Sequence, residues 1–206
     1  MGWATGRIAS TSDHATDESL LEGARLGDET AFLELYRRHR DGAFRFACRM
    51  LGSRELAEDV THDCFLGLIR NPGRFDPRRA PLRAYLYGAV RNLALKRLRR
   101  LGNEQAVADP GATESTSPAG EPLHDLLAQE LSAKVRAAIA GMPAAQREVI
   151  LLFEYEGQRL ADIAAIIGAD VGTVKWRLHQ ARGHLRKELA PYLNGGGCRE
   201  EPDHEG

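Results

Sequence analysis

Residues 168–182 read GADVGTVKWRLHQAR. Gly168 permits a sharp turn there, because a residue without a Cβ takes left-handed backbone values freely. Ala164 is small enough to let one helix approach the next, and Val174, on the far side of the turn, is placed to plug the crossing. At a helical repeat, Val174, Leu178, Ala181 and Leu185 cluster within about 60° of arc. Trp176 falls nearly opposite that stripe, with Gly183 and Lys187, while Lys175, His179, Arg182 and Arg186 fill an adjacent flank. No acidic residue occurs from Val171 through Lys187. The pattern predicts a helix-turn-helix whose last helix, Gly172 to about Leu189, turns a basic surface outward.

Such a surface is either a solvated face or a recognition helix for a DNA major groove, with its cations near phosphates. The turn and the missing acids favour recognition, with Thr173, Trp176 and Arg177 within reach of base edges or sugars. The outward Trp176 needs a partner beyond its own apolar stripe, either DNA or another protein surface.

Outward from this stretch, helical periodicity dominates and no strand-like alternation stands out. A second module spans 123–192. Leu127, Leu131, Val135 and Ala138 stripe its first helix and Gly141 ends it. Pro143 opens a second helix running to Gly157, and a short third covers Leu160 to Ile167. Residues 102–122, rich in Gly, Pro, Ser and Thr, carry acids and no Lys or Arg, the composition of a flexible tether. Before it, residues 17–101 form a first module of four helices. Glu18 to Leu26 is stopped by Gly27. The next runs from Glu29, after an Asp28 cap, to Leu51, with Phe32, Tyr36, His39, Ala43, Phe46, Ala47 and Met50 on one face. Ser53 caps a third, striped by Leu56, Val60, Cys64 and Leu68 and widened by Ala57, Phe65 and Ile69. Pro81 opens a fourth, which reaches Leu101. Residues 1–16 and 193–206 read as tails. The fold class expected is all-α: two small helical domains on a flexible linker, the second with the helix-turn-helix.

The first module is strongly basic at its end. Arg74, Arg78, Arg79, Arg83, Arg91, Lys96, Arg97, Arg99 and Arg100 face only Asp76 between residues 74 and 101, with Phe75, Tyr85 and Tyr87 interleaved. Cations with aromatics suit single-stranded nucleic acid, whose bases stack on rings at about 1–3 kcal/mol each. One of the two tyrosines is equally suited to the core. A tether joining a duplex-binding module to one that holds exposed bases raises the effective concentration of each at its own element. By contrast, Glu55, Glu58, Asp59 and Asp63 lie on the side of their helix away from the Leu56 stripe, where they would repel DNA and face a basic protein partner or water.

Composition excludes other classes. The chain has 206 residues and a net charge of −1, so bulk charge names no partner. No apolar run approaches a membrane span, and the N-terminus has neither a signal-peptide core nor a myristoylation motif. Cys48, Cys64 and Cys198 are widely spaced without a CxxC, which points to a reducing cytoplasm. His62 and Cys64 point in different directions on a helix, so Cys64 is expected in the core and His62 at the surface. No catalytic set, metal site or cofactor motif emerges.

Two blocks in order, LAEDVTHDCFLGLIR with RFDPRRAPLRAYLYGAVRNLALKRLRR (56–100), then MPAAQREVILLFEYEGQRLADIAAIIGADVGTVKWRLHQARGHLRKEL (142–189), resemble the extracytoplasmic-function (group IV, sigma-70 family) sigma factors of bacterial RNA polymerase. The resemblance implies a transcription initiation factor that directs core polymerase to −35 and −10 promoter elements and helps melt the latter. It places Glu55, Glu58, Asp59, His62 and Asp63 against the clamp helices of the largest polymerase subunit, with the flap as a second contact. Asn71, Arg74, Phe75, Arg78, Arg79, Arg83, Tyr87, Arg91, Asn92 and Arg97 would hold the −10 element. Gly172, Thr173, Lys175, Trp176, Arg177, His179, Gln180, Arg182 and Arg186 would hold the −35 element. It also implies an anti-sigma partner.

This chain departs from the family pattern at His62 and Asp63, where Gln and Glu are usual, and at Lys96, where an Asp is frequent. Arg159 replaces a Ser or Thr cap, at a cost of about 1 kcal/mol of helix stability, and Trp176 replaces a small polar residue. The rival readings are a helix-turn-helix regulator that binds duplex without polymerase and a sigma-like adaptor that opens no promoter.

Overall fold

The computed structural model describes residues 15–105 and 123–193. Residues 106–122 of the tether, 1–14 and 194–206 of the tails, and Cys198 with them, lie outside the described residues, while Thr16 and Leu193, expected in the tails, belong to a helix cap and a helix end. Every described element is helical.

Four helices build the first module. Helix α1 (Asp17–Arg25) is capped by Thr16, whose hydroxyl accepts the Ser19 amide at 3.2 Å. Helix α2 (Glu29–Leu51) begins at Asp28, whose carboxylate accepts the Thr30 and Ala31 amides at 2.9 and 3.2 Å. These bonds, that from Ala31 first, hold the Asp28 carboxyl below its usual value. Gly52 ends α2 in the left-handed region at φ 71°, and Ser53 caps α3 (Arg54–Arg70). A short 3-10 turn, Pro72–Arg74, leads to α4 (Leu82–Gln105), which extends four residues beyond the boundary expected at Leu101.

Helices α3, α1 and α4 all pack on α2. Phe46, Phe65, Leu35, Met50 and Leu68 are wholly enclosed between them, each contributing about 1.5–3 kcal/mol relative to exposure. Cys64 belongs to this core, its thiol pushed up to about 12 by burial, while His62 is exposed.

The second module holds α5 (Leu123–Ala140), α6 (Ala144–Ile150), α7 (Leu160–Ile167) and α8 (Val171–Leu193). The uninterrupted second helix expected from Pro143 to Gly157 changes pitch: α6 passes into a π-helical turn at Leu151–Tyr155. Within α5, Ala138 and Ile139 are buried, whereas Leu131, expected in the stripe, is 42% exposed.

The modules touch. Helix α4 packs on α7, and α2 on α5 and the π turn, so one apolar cluster runs through both. Arg147 fastens the joint: its guanidinium donates to the Met50 carbonyl of α2 at 2.7 Å and to the carbonyls of Ala140 and Met142. Burial lowers its pKa from the usual guanidinium value.

Candidate nucleic-acid interface

The helix-turn-helix follows from its residues. Gly168 ends α7 at φ 69°, in the left-handed region that a side chain would disfavour. Arg159 gives α7 no side-chain cap. Helix α8 starts on a cap that sequence reading missed: the Asp170 carboxylate accepts the Thr173 hydroxyl at 2.6 Å and the Thr173 amide at 2.8 Å. Those bonds hold the Asp170 carboxyl below its usual value. A Cβ on Gly172 would stand 2.8 Å from the Asp170 carboxylate, so a glycine there leaves the cap room.

On α8, Val174, Leu178 and Ala181 are buried and Trp176 is 60% exposed, so the indole points away from the core as the helical repeat requires. Lys175, His179, Gln180, Arg182 and Arg186 are exposed around it. Arg182 is drawn to Glu154 at 2.6 Å and lies over the Phe153 ring.

At the end of the first module, Asn71, Arg74, Arg78 and Arg79 are exposed along the 71–80 loop. The Asp76 carboxylate fixes that loop by accepting the Arg78 amide at 3.0 Å. Between loop and α4 lies a cavity of ≈ 720 Å³ lined by Arg74, Phe75, Arg79, Tyr85 and Asn92, its far side formed by Ala165 and Ile166 of α7. Two expected stacking rings are not surface platforms. Phe75 is 8% exposed and packs edge-on against Tyr85 at 5.4 Å, and Tyr87 is 3% exposed against Phe46 at 5.6 Å. Rings on the inner side of a loop and a helix gain more from burial than from water. Of the three aromatics only Tyr85 is partly open.

The acidic helix contrasts with these. Glu55, Glu58, Asp59, His62 and Asp63 all lie exposed along one side of α3. Glu58 pairs with Arg54 one turn away at 3.1 Å. Arg97 of α4, expected at the −10 element, sits instead beside this face, 3.9 Å from Asp59 and 3.8 Å from Asp63.

Sequence reading missed the carboxylates that join the modules. Glu148 of α6, 1% exposed, accepts two bonds from Arg91 at 2.7 and 3.2 Å and one from Arg177 at 3.1 Å. Glu156, 4% exposed, accepts the Tyr87 hydroxyl at 2.6 Å and Arg49 at 3.2 Å, and its backbone carbonyl accepts Arg83 at 2.9 Å. Burial first, then the Glu156 carboxylate, pushes the Tyr87 phenol up to about 12. A signal for Glu148 was present: it precedes Leu151 and Leu152 by three and four positions, which puts it on their buried stripe.

Among the described residues, no helix is long and apolar enough to cross a membrane, and no group of His, Cys, Asp and Glu is placed to hold a metal ion.

Two family models match the chain: Sigma-70 region 2 over residues 35–104 and Sigma-70, region 4 over 132–185. The ECF RNA polymerase sigma factor SigM of Mycobacterium tuberculosis is 34% identical over 88% of this chain and 88% of its own length. The ECF RNA polymerase sigma factor SigE of Mycolicibacterium smegmatis is 30% identical over 88% of this chain and 70% of its own. Among solved structures, the sigma factor RpoE in complex with the anti-sigma factor NepR from Bartonella quintana is 27% identical, with a TM-score of 0.63 over 77% of this chain and 96% of that one. An acidic helix, a basic loop-and-helix and a helix-turn-helix, in an order matched by both sigma-70 regions, leave one family: the chain belongs to the ECF RNA polymerase sigma factors, which bind the polymerase and give it promoter specificity.

Proposed function

We propose that three faces divide the work of initiation. The exposed carboxylates of α3, Glu55, Glu58, Asp59 and Asp63, with His62, dock on the clamp helices of the polymerase, while the second module reaches the flap. The 71–80 loop and α4 hold the −10 element through Asn71, Arg74, Arg78, Arg79, Arg83, Arg91 and Asn92, and the cavity beside Tyr85 and Phe75 has room for an unstacked base. The exposed side of α8, from Gly172 to Arg186, enters the major groove of the −35 element. The domain boundaries follow this division: 17–101 for docking and −10 reading, extended by the helix to 105, then 123–192 for the −35 element. The tether spans the two.

The observation that carries this assignment is the segregation of charge. One helix turns acids outward, while the loop and two other helices turn cations outward, and a protein partner and a polyanion need those opposite surfaces. The chain makes no bonds itself and works in the cytoplasm where polymerase is. Because the Bartonella relative was captured with an anti-sigma factor, an anti-sigma partner is extended to this chain as well.

Run-off transcription with purified core polymerase on a randomised promoter library tests the whole assignment. Enrichment of paired −35 and −10 motifs at fixed spacing is expected. Transcripts without motif enrichment would refute it.

A further inference from the structure

We propose that a cavity inside the first module, between α2 and α4, is a binding site for a phosphate ester of nucleotide size. It measures ≈ 350 Å³, and Arg37, Arg38 and Arg45 of α2 and Arg83 of α4 line it with a single carboxylate, Asp41. All four arginines are exposed, whereas Ala43, Leu86 and Tyr87 of the same lining are buried, so the deep part is apolar and the charge sits at the open side. Helical spacing puts them there: 38, 41 and 45 recur at three- and four-residue steps along one face of α2, as 83 and 87 do on α4. Every lining residue belongs to the first module. The site rests on neither the docking nor the −35 assignment, and only Arg83 is shared with the −10 element.

The balance of charge singles this cavity out. Glu34 takes up Arg37 and Arg38, at 3.0 and 2.8 Å, and Asp17 lies 2.7 Å from the imidazole of His39, which also lines the cavity. Asp41 stands one turn before Arg45, the spacing of a helical ion pair, yet it pairs with Arg40 at 3.2 Å instead. Arg83 bonds neutral acceptors, the Glu156 backbone carbonyl at 2.9 Å and the Tyr87 hydroxyl. The Glu156 carboxylate approaches the lining at Gly42 but is engaged by Arg49 and Tyr87. Among the described residues, Arg45 and Arg83 therefore have no carboxylate in ion-pair range, and they belong to different walls of one cleft. Uncompensated cations in a cleft focus a positive potential there. A guanidinium fork matches phosphate oxygens two at a time. The volume of ≈ 350 Å³ falls in the range, about 300–1,000 Å³, of pockets that enclose an organic ligand, which favours a phosphate ester over an inorganic ion.

The test uses the full chain without polymerase or magnesium, at low salt so that charge is weakly screened. Methylanthraniloyl-ATP is the probe, followed by its fluorescence. Arg45→Gln removes the charge of one wall, and Asp41→Asn removes the lining acid. Arg159→Gln makes the same charge change as Arg45→Gln at an exposed position of the second module. The parent is expected to bind the probe saturably. Arg45→Gln is expected to weaken binding about fivefold or more, Asp41→Asn to tighten it about twofold or more, and Arg159→Gln to move it by less than about twofold. Arg45 and Asp41 are both exposed on α2, so neither change touches the core, which far-UV circular dichroism verifies.

Pyrophosphate is expected to displace the probe and adenosine to leave it bound. An octathymidylate strand that displaces it at lower concentration than ATP identifies the occupant as a strand phosphate, and the reverse order identifies a free nucleotide; either supports the site. A parent without saturable binding overturns it. So does an equal loss in Arg45→Gln and Arg159→Gln, which traces binding to net charge alone, or displacement by adenosine as readily as by pyrophosphate. Asp41→Asn without tighter binding likewise overturns it, because a lining acid must oppose an anion.

Discussion

Two sets of carboxylates in this chain have opposite surroundings. Those of α3 stand in water, with Arg54 and a distant Arg97 as their nearest cations. Glu148 and Glu156, on α6 and just past the π turn, are buried, and every bond they accept from a side chain comes from an arginine or a tyrosine. An exposed acid keeps its hydration and is free to meet a partner. A buried acid has lost its hydration and depends on the cations built around it. The sites therefore differ in what a substitution removes: association in one case, internal structure in the other.

Glu148→Ala breaks the comparison most sharply. It strands Arg91 and Arg177 partly buried without their acid, and is expected to cost about 3–5 kcal/mol in chemical denaturation of the full chain. A loss below about 1 kcal/mol would show that water already serves these arginines. Asp59→Arg is the mirror experiment. A tenfold or greater loss of affinity for core polymerase is expected, with the unfolding midpoint held, because Asp59 is exposed and its pairing with Arg97, at 3.9 Å, is a surface one that contributes about 0–1 kcal/mol. Equal binding in a pull-down would remove α3 as the docking face.

Smaller effects sharpen the contrast on the basic side. Lys175→Ala/Arg182→Ala is expected to shallow the log–log salt dependence of −35 binding by about 1–2, since each phosphate contact contributes about 0.9. A slope unchanged from the parent takes both out of the phosphate contacts. Trp176→Ala should leave stability within about 0.5 kcal/mol, the usual range for exposed positions, and alter −35 affinity or base preference. A large drop in melting temperature would instead mean that the indole supports the core.

Much of this was legible in the residues because it is local. The bounds of α7 at Leu160 and Ile167, the caps at Asp28 and Ser53, and the outward indole all follow from spacing along one helix. What stayed hidden is non-local. Periodicity says which side of a helix is buried but not against what, so α4 gave no sign that its 83–91 strip would meet another module. Tyr87 and Phe75 looked like stacking rings because an aromatic among arginines has the same composition inside a joint as on a binding surface. Glu148 was hidden differently. Acids are counted as surface residues by default, and only its register with Leu151 and Leu152 betrayed it.

The π-helical turn at Leu151–Tyr155 carries a consequence for phase. On a regular helix, residues eight positions apart lie roughly 80° out of line. A wider turn absorbs one residue, and its signature is the Glu156 amide reaching back to the Leu151 carbonyl at 3.1 Å. Glu148 and Glu156 thereby fall into near alignment, as residues seven apart would, and both address the same strip of α4. The widened turn thus acts as a phase corrector: straightened to uniform pitch with its length unchanged, it would leave one acid facing the arginines and rotate the other away from them.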